Sequence, residues 1–313
     1  MLFGEEMKIS FVIPCYRSEK TIRKVVEEIS ITIKKIKNLD YEIILTNDCS
    51  PDNVWEEIKK LAAEDPKIKG LSLAKNFGQH AALLAGYSQT TGDLIVSLDD
   101  DGQTPIDELD LLLGEIEKGY DVVYAYYEEI KQTTFRRFGS FMATKMAEFM
   151  LGAPKGLKGS SFFVAKKFVI DEMIKYDNPY PYLPGLILRV TRNISSVMTH
   201  HRPRLEGKSG YSFRRLLGLW INGFTAFSVK PLEIGVYAGG LFAFIGFIYA
   251  LVTIIRKINN PVIAAGWASI ISIILLLGGF ILIMLGLIGE YIGRIYICLN
   301  KSPQYVIKEE TDK

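Results

Sequence analysis

Three consecutive acids, Asp99-Asp100-Asp101, followed by Gly102-Gln103-Thr104-Pro105, close the apolar run Leu94-Ile95-Val96. An apolar run that ends in carboxylates reads as a buried strand delivering acids to the edge of a sheet. Ligands of open α/β sheets bind at the carboxyl ends of strands. Three adjacent carboxylates repel one another, and a nearby cation relieves that repulsion. Asp99 and Asp101 are two apart and, in extended backbone, face the same way. They could grip one hard divalent ion, Mg²⁺ or Mn²⁺, with its remaining positions left to phosphate oxygens. The competing reading is a solvated acidic turn before a helix, with Asp107 and Glu108 in the first turn.

The elements that must position these acids follow from hydrophobic periodicity. Strands are predicted at Ile9 to Pro14, Tyr41 to Leu45, Ile68 to Leu73, Leu94 to Leu98 and Asp121 to Ala125, with one more at Phe162 to Val164. Helices are predicted at Thr21 to Ile36, Val54 to Ala63, Gln79 to Thr90 and Asp107 to Glu117; in the first, Ile22, Val25, Val26, Ile29 and Ile33 share a face. Alternating strands and helices imply an α/β domain with a mostly parallel, doubly wound sheet. Asp48 and Asp99 to Asp101 all follow apolar strands, so they should converge on one edge.

The chain has 313 residues and a net charge of +2, which gives no global field for nucleic acid. Cys15, Cys49 and Cys298 are scattered, which suits a reducing compartment rather than a disulfide scaffold or a zinc site. The acidic, short stretch before the first strand does not read as a signal peptide. His80, His200 and His201 read as polar packing. Phe135 to Leu151 could be a helix in a membrane interface or one packed on the domain core.

From His200 the composition changes. A basic stretch containing Arg202, Arg204, Lys208, Arg214 and Arg215 leads to a helix with Leu216, Leu217, Trp220 and Phe224. Two uncharged apolar stretches follow, 234–255 and 262–289, each long enough to cross a bilayer. The expected organisation is a catalytic domain over 1–200, a basic juxtamembrane segment with an interfacial helix over 201–233, a transmembrane hairpin over 234–289, and a polar cytoplasmic tail over 290–313. Two crossings put both termini on one side, and the basic segment before the first span favours the cytoplasm. Such an enzyme could take a phosphate-bearing, nucleotide-linked donor from the cytosol and transfer part of it to a lipid. A metal would neutralise the diphosphate leaving group. The junction arginines and lysines could hold an anionic head group, or serve only as general attraction to anionic lipid.

The ordered motifs Phe11-Val12-Ile13-Pro14-Cys15-Tyr16, Asn47-Asp48-Cys49-Ser50-Pro51-Asp52, Ala74-Lys75-Asn76-Phe77-Gly78 and Asp99 to Pro105 resemble those of inverting family-two glycosyltransferases with a GT-A fold. With Arg202 to Tyr211, Phe227 to Leu232 and the hairpin, the chain resembles the polyprenyl-phosphate group of that family. This is the dolichol-phosphate mannose synthase-like group, which includes GtrB-type and ArnC-type enzymes. The resemblance implies a Rossmann-like catalytic domain, interfacial helices and a two-helix membrane hairpin in the cytoplasmic (inner) membrane. Pro14 and Tyr16 would shape the first loop, Glu19 would lie near the nucleotide, and Asp48 would accept a hydrogen bond from the base. Asp99 and Asp101 match the Asp-x-Asp pair, with Gln103 as a third member beside Mg²⁺ or Mn²⁺. Arg202, Arg204 and Lys208 match basic positions near the diphosphate and the acceptor phosphate. The implied partners are a nucleotide-sugar donor, read as UDP-linked, and polyprenyl phosphate in a membrane, with room for a homo-oligomer and no role for nucleic acid.

Three positions depart from the pattern. Arg17 stands where the family has Asn after the Tyr, and Ser160 and Phe162 replace the Asp and Arg of its GDFR-like motif. A lipid phosphate is already an anion near neutral pH, its second pKa being about 6, and can attack without a general base. A glycosyltransferase extending a glycan at a hydroxyl would need a carboxylate base that Ser160 does not supply. A catalytically silent membrane scaffold is the third reading, opposed by the Asp99, Asp101 and Gln103 set.

Overall fold

A computed structural model describes residues 7–36, 39–127, 145, 147–179, 181–200, 230–259 and 266–311. They belong to two compact units, one of them formed by the chain up to residue 219 together with 301–313, the other by 220–300.

The first unit is built on β1 (Met7–Cys15), β2 (Leu39–Asn47), β3 (Ile68–Leu73), β4 (Leu94–Ser97), β5 (Val122–Tyr127), β6 (Phe163–Lys166), β7 (Ile194–Thr199) and β8 (Ile307–Glu310). They form one sheet in the order β7-β5-β6-β4-β1-β2-β3-β8. The pairs among β1, β2, β3 and β4 are parallel, as is β5 with β7. Strand β6 enters antiparallel between β4 and β5, and β8 is antiparallel to β3. The chain winds from β1 through β2 to β3 on one side, then returns to place β4 on the other side of β1. That reversal puts a crevice at the carboxyl ends of β1 and β4, where open α/β sheets bind ligands.

Strand β1 is central, and Ile9 to Cys15 are all buried, as expected of a strand covered on both faces. Each fully buried Phe11- or Ile13-type side chain contributes about 1.5–3 kcal/mol. Helices α1 (Ile22–Ile33), α2 (Val54–Glu64), α3 (Gln79–Tyr87) and α4 (Leu109–Glu117) connect the parallel strands. The five residues predicted to share the inner face of α1 are all buried. Helix α3 lies so close to the sheet that a Cβ on Gly86 would come within 2.4 Å of Val12 Cγ1. Helices α5 (Lys167–Met173) and α6 (Leu183–Val190), absent from the sequence expectation, follow β6.

The second unit contains α7 (Lys230–Asn259) and α8 (Trp267–Leu299). At 1.5 Å per residue each is longer than the ~30 Å hydrocarbon core. The apolar windows Leu232–Tyr249 and Leu277–Leu299 are long enough to cross a membrane. The helices meet where Gly235 leaves room for Met284 and where Phe242 and Phe280 rings lie 5.5 Å apart. Helix α8 is described from Trp267 and continues past residue 289, where the second span was expected to end, to Leu299. Glu290 and Arg294 do not end it, because an i,i+4 ion pair of 2.7 Å lets both charges stay on one helical face. Beyond it, within the expected polar tail, β8 joins the edge of the sheet. The juxtamembrane segment 201–229 and most of the expected interfacial helix at 135–151 lie outside the described residues; of the latter, Ala147–Leu151 forms one π-helical turn.

Candidate active site

Strands β1, β2 and β4 are neighbours, so the loops that leave them share one edge, as their sequence pattern required. Pro14 lies in the last part of β1, opposite Thr46 of β2. The ladder from β1 to β4 has already ended at Val12, so the missing N–H of Pro14 costs no bond on that side. After it, Tyr16 is exposed, and Arg17 adopts φ +61°. Left-handed backbone is tolerated by Asn and costs other side chains about 1 kcal/mol or more. The Asn to Arg departure therefore falls where Asn has a conformational advantage. Arg17 is held there by its N–H on Ser50 Oγ at 2.8 Å and by its guanidinium over the Tyr16 ring at 5.5 Å.

The three acids do different jobs. Asp100 turns to the β1 loop, where the main-chain N–H of Tyr16 donates to its Oδ2 at 2.9 Å, and the Thr21 hydroxyl donates to its carbonyl at 2.6 Å. Burial, with the charges of Asp99 and Asp101 adding, pushes its carboxyl up to about 6; the Ser18 hydroxyl and the Tyr16 N–H pull the other way. Asp99 is held from two sides: Gln79 Nε2, at the start of α3, donates to Oδ1 at 2.8 Å, and the Ser161 hydroxyl donates to Oδ2. Asp101 accepts the main-chain N–H of Gln103 at 3.0 Å across Gly102, whose φ of +73° makes the turn. These residues follow the end of β4, so strand alternation does not govern their direction. Tyr127, at the end of β5, feels both acids. Burial, then the charges of Asp99 and Asp101, push its phenol up to about 12.

Asp48 is buried, and both its carboxylate oxygens are engaged: Phe77 N–H donates to Oδ1 at 2.7 Å and Gly78 N–H to Oδ2 at 2.9 Å. Its carbonyl accepts from Asn76 Nδ2 at 3.2 Å. The loop 75–79 therefore bridges Asp48 at one end and, through Gln79, Asp99 at the other. Burial raises the Asp48 pKa, the two N–H donors opposing it. Glu19 faces the start of α2, accepting from the N–H and amide of Asn53 at 3.3 and 3.4 Å. Ser160 donates to the Ala125 carbonyl at 2.8 Å, and Phe162 is fully buried in the core, so the GDFR-like positions serve local structure here. Arg202, Arg204, Lys208 and His201 lie outside the described residues. His200 binds Glu108 through its N–H at 3.0 Å and its ring Nδ1 at 2.5 Å.

Among the described residues no three His, Cys, Asp or Glu side chains converge on one point. Two carboxylates are nonetheless a fitting set for Mg²⁺ or Mn²⁺, which are commonly held by one or two carboxylates with substrate phosphates and water completing the shell. Asp99 and Asp101 lie two residues apart on the loop after β4 and both add to the upward shift of the Tyr127 phenol. Sequence reasoning missed Gln79, Ser161 and Tyr127. Only the position of Tyr127 at the end of an apolar strand offered a signal.

Residues 10–174 match the profile of glycosyl transferase family 2, and residues 230–295 match the GtrB C-terminal hairpin. The undecaprenyl-phosphate 4-deoxy-4-formamido-L-arabinose transferase of Proteus mirabilis is 33% identical over 312 residues, covering 98% of this chain and 95% of that protein. The chain belongs to glycosyl transferase family 2. A second relative, the uncharacterized glycosyltransferase YkcC of Bacillus subtilis, is 31% identical over 307 residues, covering 98% of this chain and 95% of its own. Among solved structures, the glucosyl-3-phosphoglycerate synthase of Mycobacterium tuberculosis in complex with Mn²⁺, UDP-glucose and phosphoglyceric acid superposes with a TM-score of 0.53. It is 17% identical and covers 71% of this chain and 78% of that one. That likeness establishes a shared fold: the GT-A architecture with a mostly parallel sheet, here carrying an apolar helical hairpin.

Proposed function

We propose that this family-2 enzyme transfers a sugar from a nucleotide-sugar donor, UDP-linked in our reading, to undecaprenyl phosphate at the cytoplasmic face of the inner membrane. The full-length similarity to a transferase named for undecaprenyl phosphate supports the acceptor, and the hairpin match supports the membrane. The observation that carries the acceptor class is Ser160. Its hydroxyl is bonded to the Ala125 and Phe162 carbonyls and is no base, which suits an acceptor that arrives as an anion. A phosphate oxygen then attacks the anomeric carbon with inversion, and the bond to the nucleoside diphosphate breaks with its electron pair leaving on the diphosphate.

In this reading Asp99 and Asp101, with Gln103 beside them, hold Mg²⁺ or Mn²⁺, which would offset the charge of the departing diphosphate. Asp48 holds the donor loop, Pro14, Tyr16 and Glu19 line the donor's entry, and Arg202 faces the diphosphate. Arg204 and Lys208 hold the acceptor phosphate at head-group depth. Positioning supplies the remainder of the rate enhancement. Two crossings return the chain to the side it left, which agrees with β8 lying in the same sheet as β1. The test is transfer from a panel of nucleotide sugars to undecaprenyl phosphate by the purified full-length chain, with the product extracted as lipid. Transfer to a glycan hydroxyl, with none to the lipid phosphate, would overturn the acceptor.

A further inference from the structure

The chain that leaves the hairpin does more than end. Gln304 Nε2 donates to the carbonyls of Tyr176 and Asn178 at 3.1 and 2.9 Å, fixing the tail where it reaches the α/β unit. Strand β8 then pairs with β3 through Leu71↔Glu310, Ser72↔Glu309 and Leu73↔Ile307, with an irregularity between Ser72 and Leu73. At the far end Gly70 N–H donates to Thr311 Oγ1 at 2.9 Å, and Lys69 pairs with Glu310 at 3.2 Å. A Cβ on Gly70 would meet Thr311 Cγ2 at 2.9 Å, so the tail is seated closely.

The near end of this ladder reaches the donor loop. Ala74 N–H, one residue before Lys75, donates to the Val306 carbonyl at 2.9 Å. Tyr305 and Ile307 pack with Phe77 against a small buried cluster, Leu73, Ala82 and Ala85. Phe77 and Gly78 are the residues whose N–H groups Asp48 accepts, and Gln79 holds Asp99. The loop thus has Asp48 and Asp99 on one side and the tail on the other. Without β8 its leading N–H and the outer contacts of Phe77 would be left to water.

We propose that the C-terminal segment, through Tyr305 and Val306, is a positioning element for the donor nucleotide: it holds loop 75–79 in the geometry that Asp48 and Asp99 require. This rests on the reading of that loop as part of the donor site. It also makes the hairpin's return strand part of the transferase site rather than a spacer.

The test uses the full-length chain in detergent, titrated with UDP and with GDP in the presence of Mn²⁺, taking whichever binds the unaltered chain more tightly. Tyr305→Ala should weaken that nucleotide about 5- to 10-fold and raise the donor KM alike, with kcat and the lipid KM changed less than about 2-fold; tenfold corresponds to ~1.4 kcal/mol. Tyr305→Phe, which keeps the ring, should restore binding. Lys69→Ala, which removes the distal ion pair to Glu310 and a hydrogen bond to Gln89, both away from loop 75–79, should leave the nucleotide affinity unchanged. If Tyr305→Ala does not fold, Tyr305→Leu is measured in its place with the same expected direction. A folded Tyr305→Ala or Tyr305→Leu variant that binds nucleotide as the unaltered chain does overturns the proposal, as does a Phe variant no better than Ala. Asp48→Ala is measured beside them. If it loses affinity while Tyr305→Ala does not, the tail proposal alone fails; if it keeps full affinity, the donor-loop reading fails and the proposal with it.

Discussion

Asp48 offers the sharpest separation of stability from binding. Asp48→Ala removes two carboxylate acceptors, leaving the N–H groups of Phe77 and Gly78 without them. A fully buried unsatisfied donor costs about 1–3 kcal/mol; these two lie in a part-buried loop that water can reach, so the loss of folding stability should be about 1–3 kcal/mol in total. Asp48→Asn behaves differently. Its amide can accept from one N–H only and must turn its NH₂ toward the other, which costs one bond. Against that, the pKa of Asp48 is raised by burial, so the charged form is disfavoured in the fold and a neutral amide recovers part of that penalty. The net change for Asn should stay below about 2 kcal/mol. The sign with pH follows. Because the folded pKa lies above the unfolded value of about 3.9, the folded state binds more protons, and stability falls as pH rises through that window. The wild-type chain should therefore gain on Asp48→Asn as pH is lowered from neutral toward about 4. Thermal unfolding of the full chain across pH, with nucleotide affinity measured in parallel, checks both. Both variants should lose donor affinity, Asn out of proportion to its stability change. An Asp48→Ala variant as stable as wild type, with donor binding intact, would refute the loop-clamp reasoning.

Asp101→Asn should abolish transfer and weaken donor binding in Mg²⁺ or Mn²⁺ while leaving the fold intact; full activity of the pure variant, or of the wild type in excess EDTA, removes the metal assignment. Arg17→Asn should stabilise the chain by about 0.5–1 kcal/mol, since Asn accepts the left-handed backbone more readily, and an unchanged or lower melting temperature counts against backbone strain at φ +61°. Arg204→Ala should cost about 2–4 kcal/mol of transition-state stabilisation in kcat/KM for polyprenyl phosphate if the guanidinium clamps the head group, and Arg204→Lys should not restore it. Rescue of the Ala variant by anionic lipid, with a fully active Lys variant, would leave only a surface anchor. His80 is half-buried with its ring edge-on to Tyr182, and the burial of its imidazole lowers its pKa to about 4. The unfolded chain then binds the extra proton first, so stability is lost as pH falls from about 6.5 toward 4, and His80→Phe should flatten that part of the unfolding profile.

Much of this protein was legible in its sequence for a local reason. Apolar runs closed by acids place Asp48 and Asp99 at strand ends, and strand ends of one parallel sheet share an edge whatever the detailed packing. The inner face of α1 and the two apolar helices are likewise properties of spacing and composition. The division of labour among Asp99, Asp100 and Asp101 was not legible. Three identical neighbours differ only through the turn at Gly102 and through which partners the folded chain brings to each. Those partners come from afar: Gln79 is 20 residues from Asp99 and Ser161 is 62 away. The return strand was hidden for a similar reason. Lys308-Glu309-Glu310 is charged and only Ile307 of the strand packs inward, beside Phe77, so the segment carries no alternation to announce it, and its partner β3 lies some 241 residues away at Gly70. Hydrogen bonding between main chains carries no residue-type signature. The pairing therefore exists only once the sheet has formed an edge to receive it.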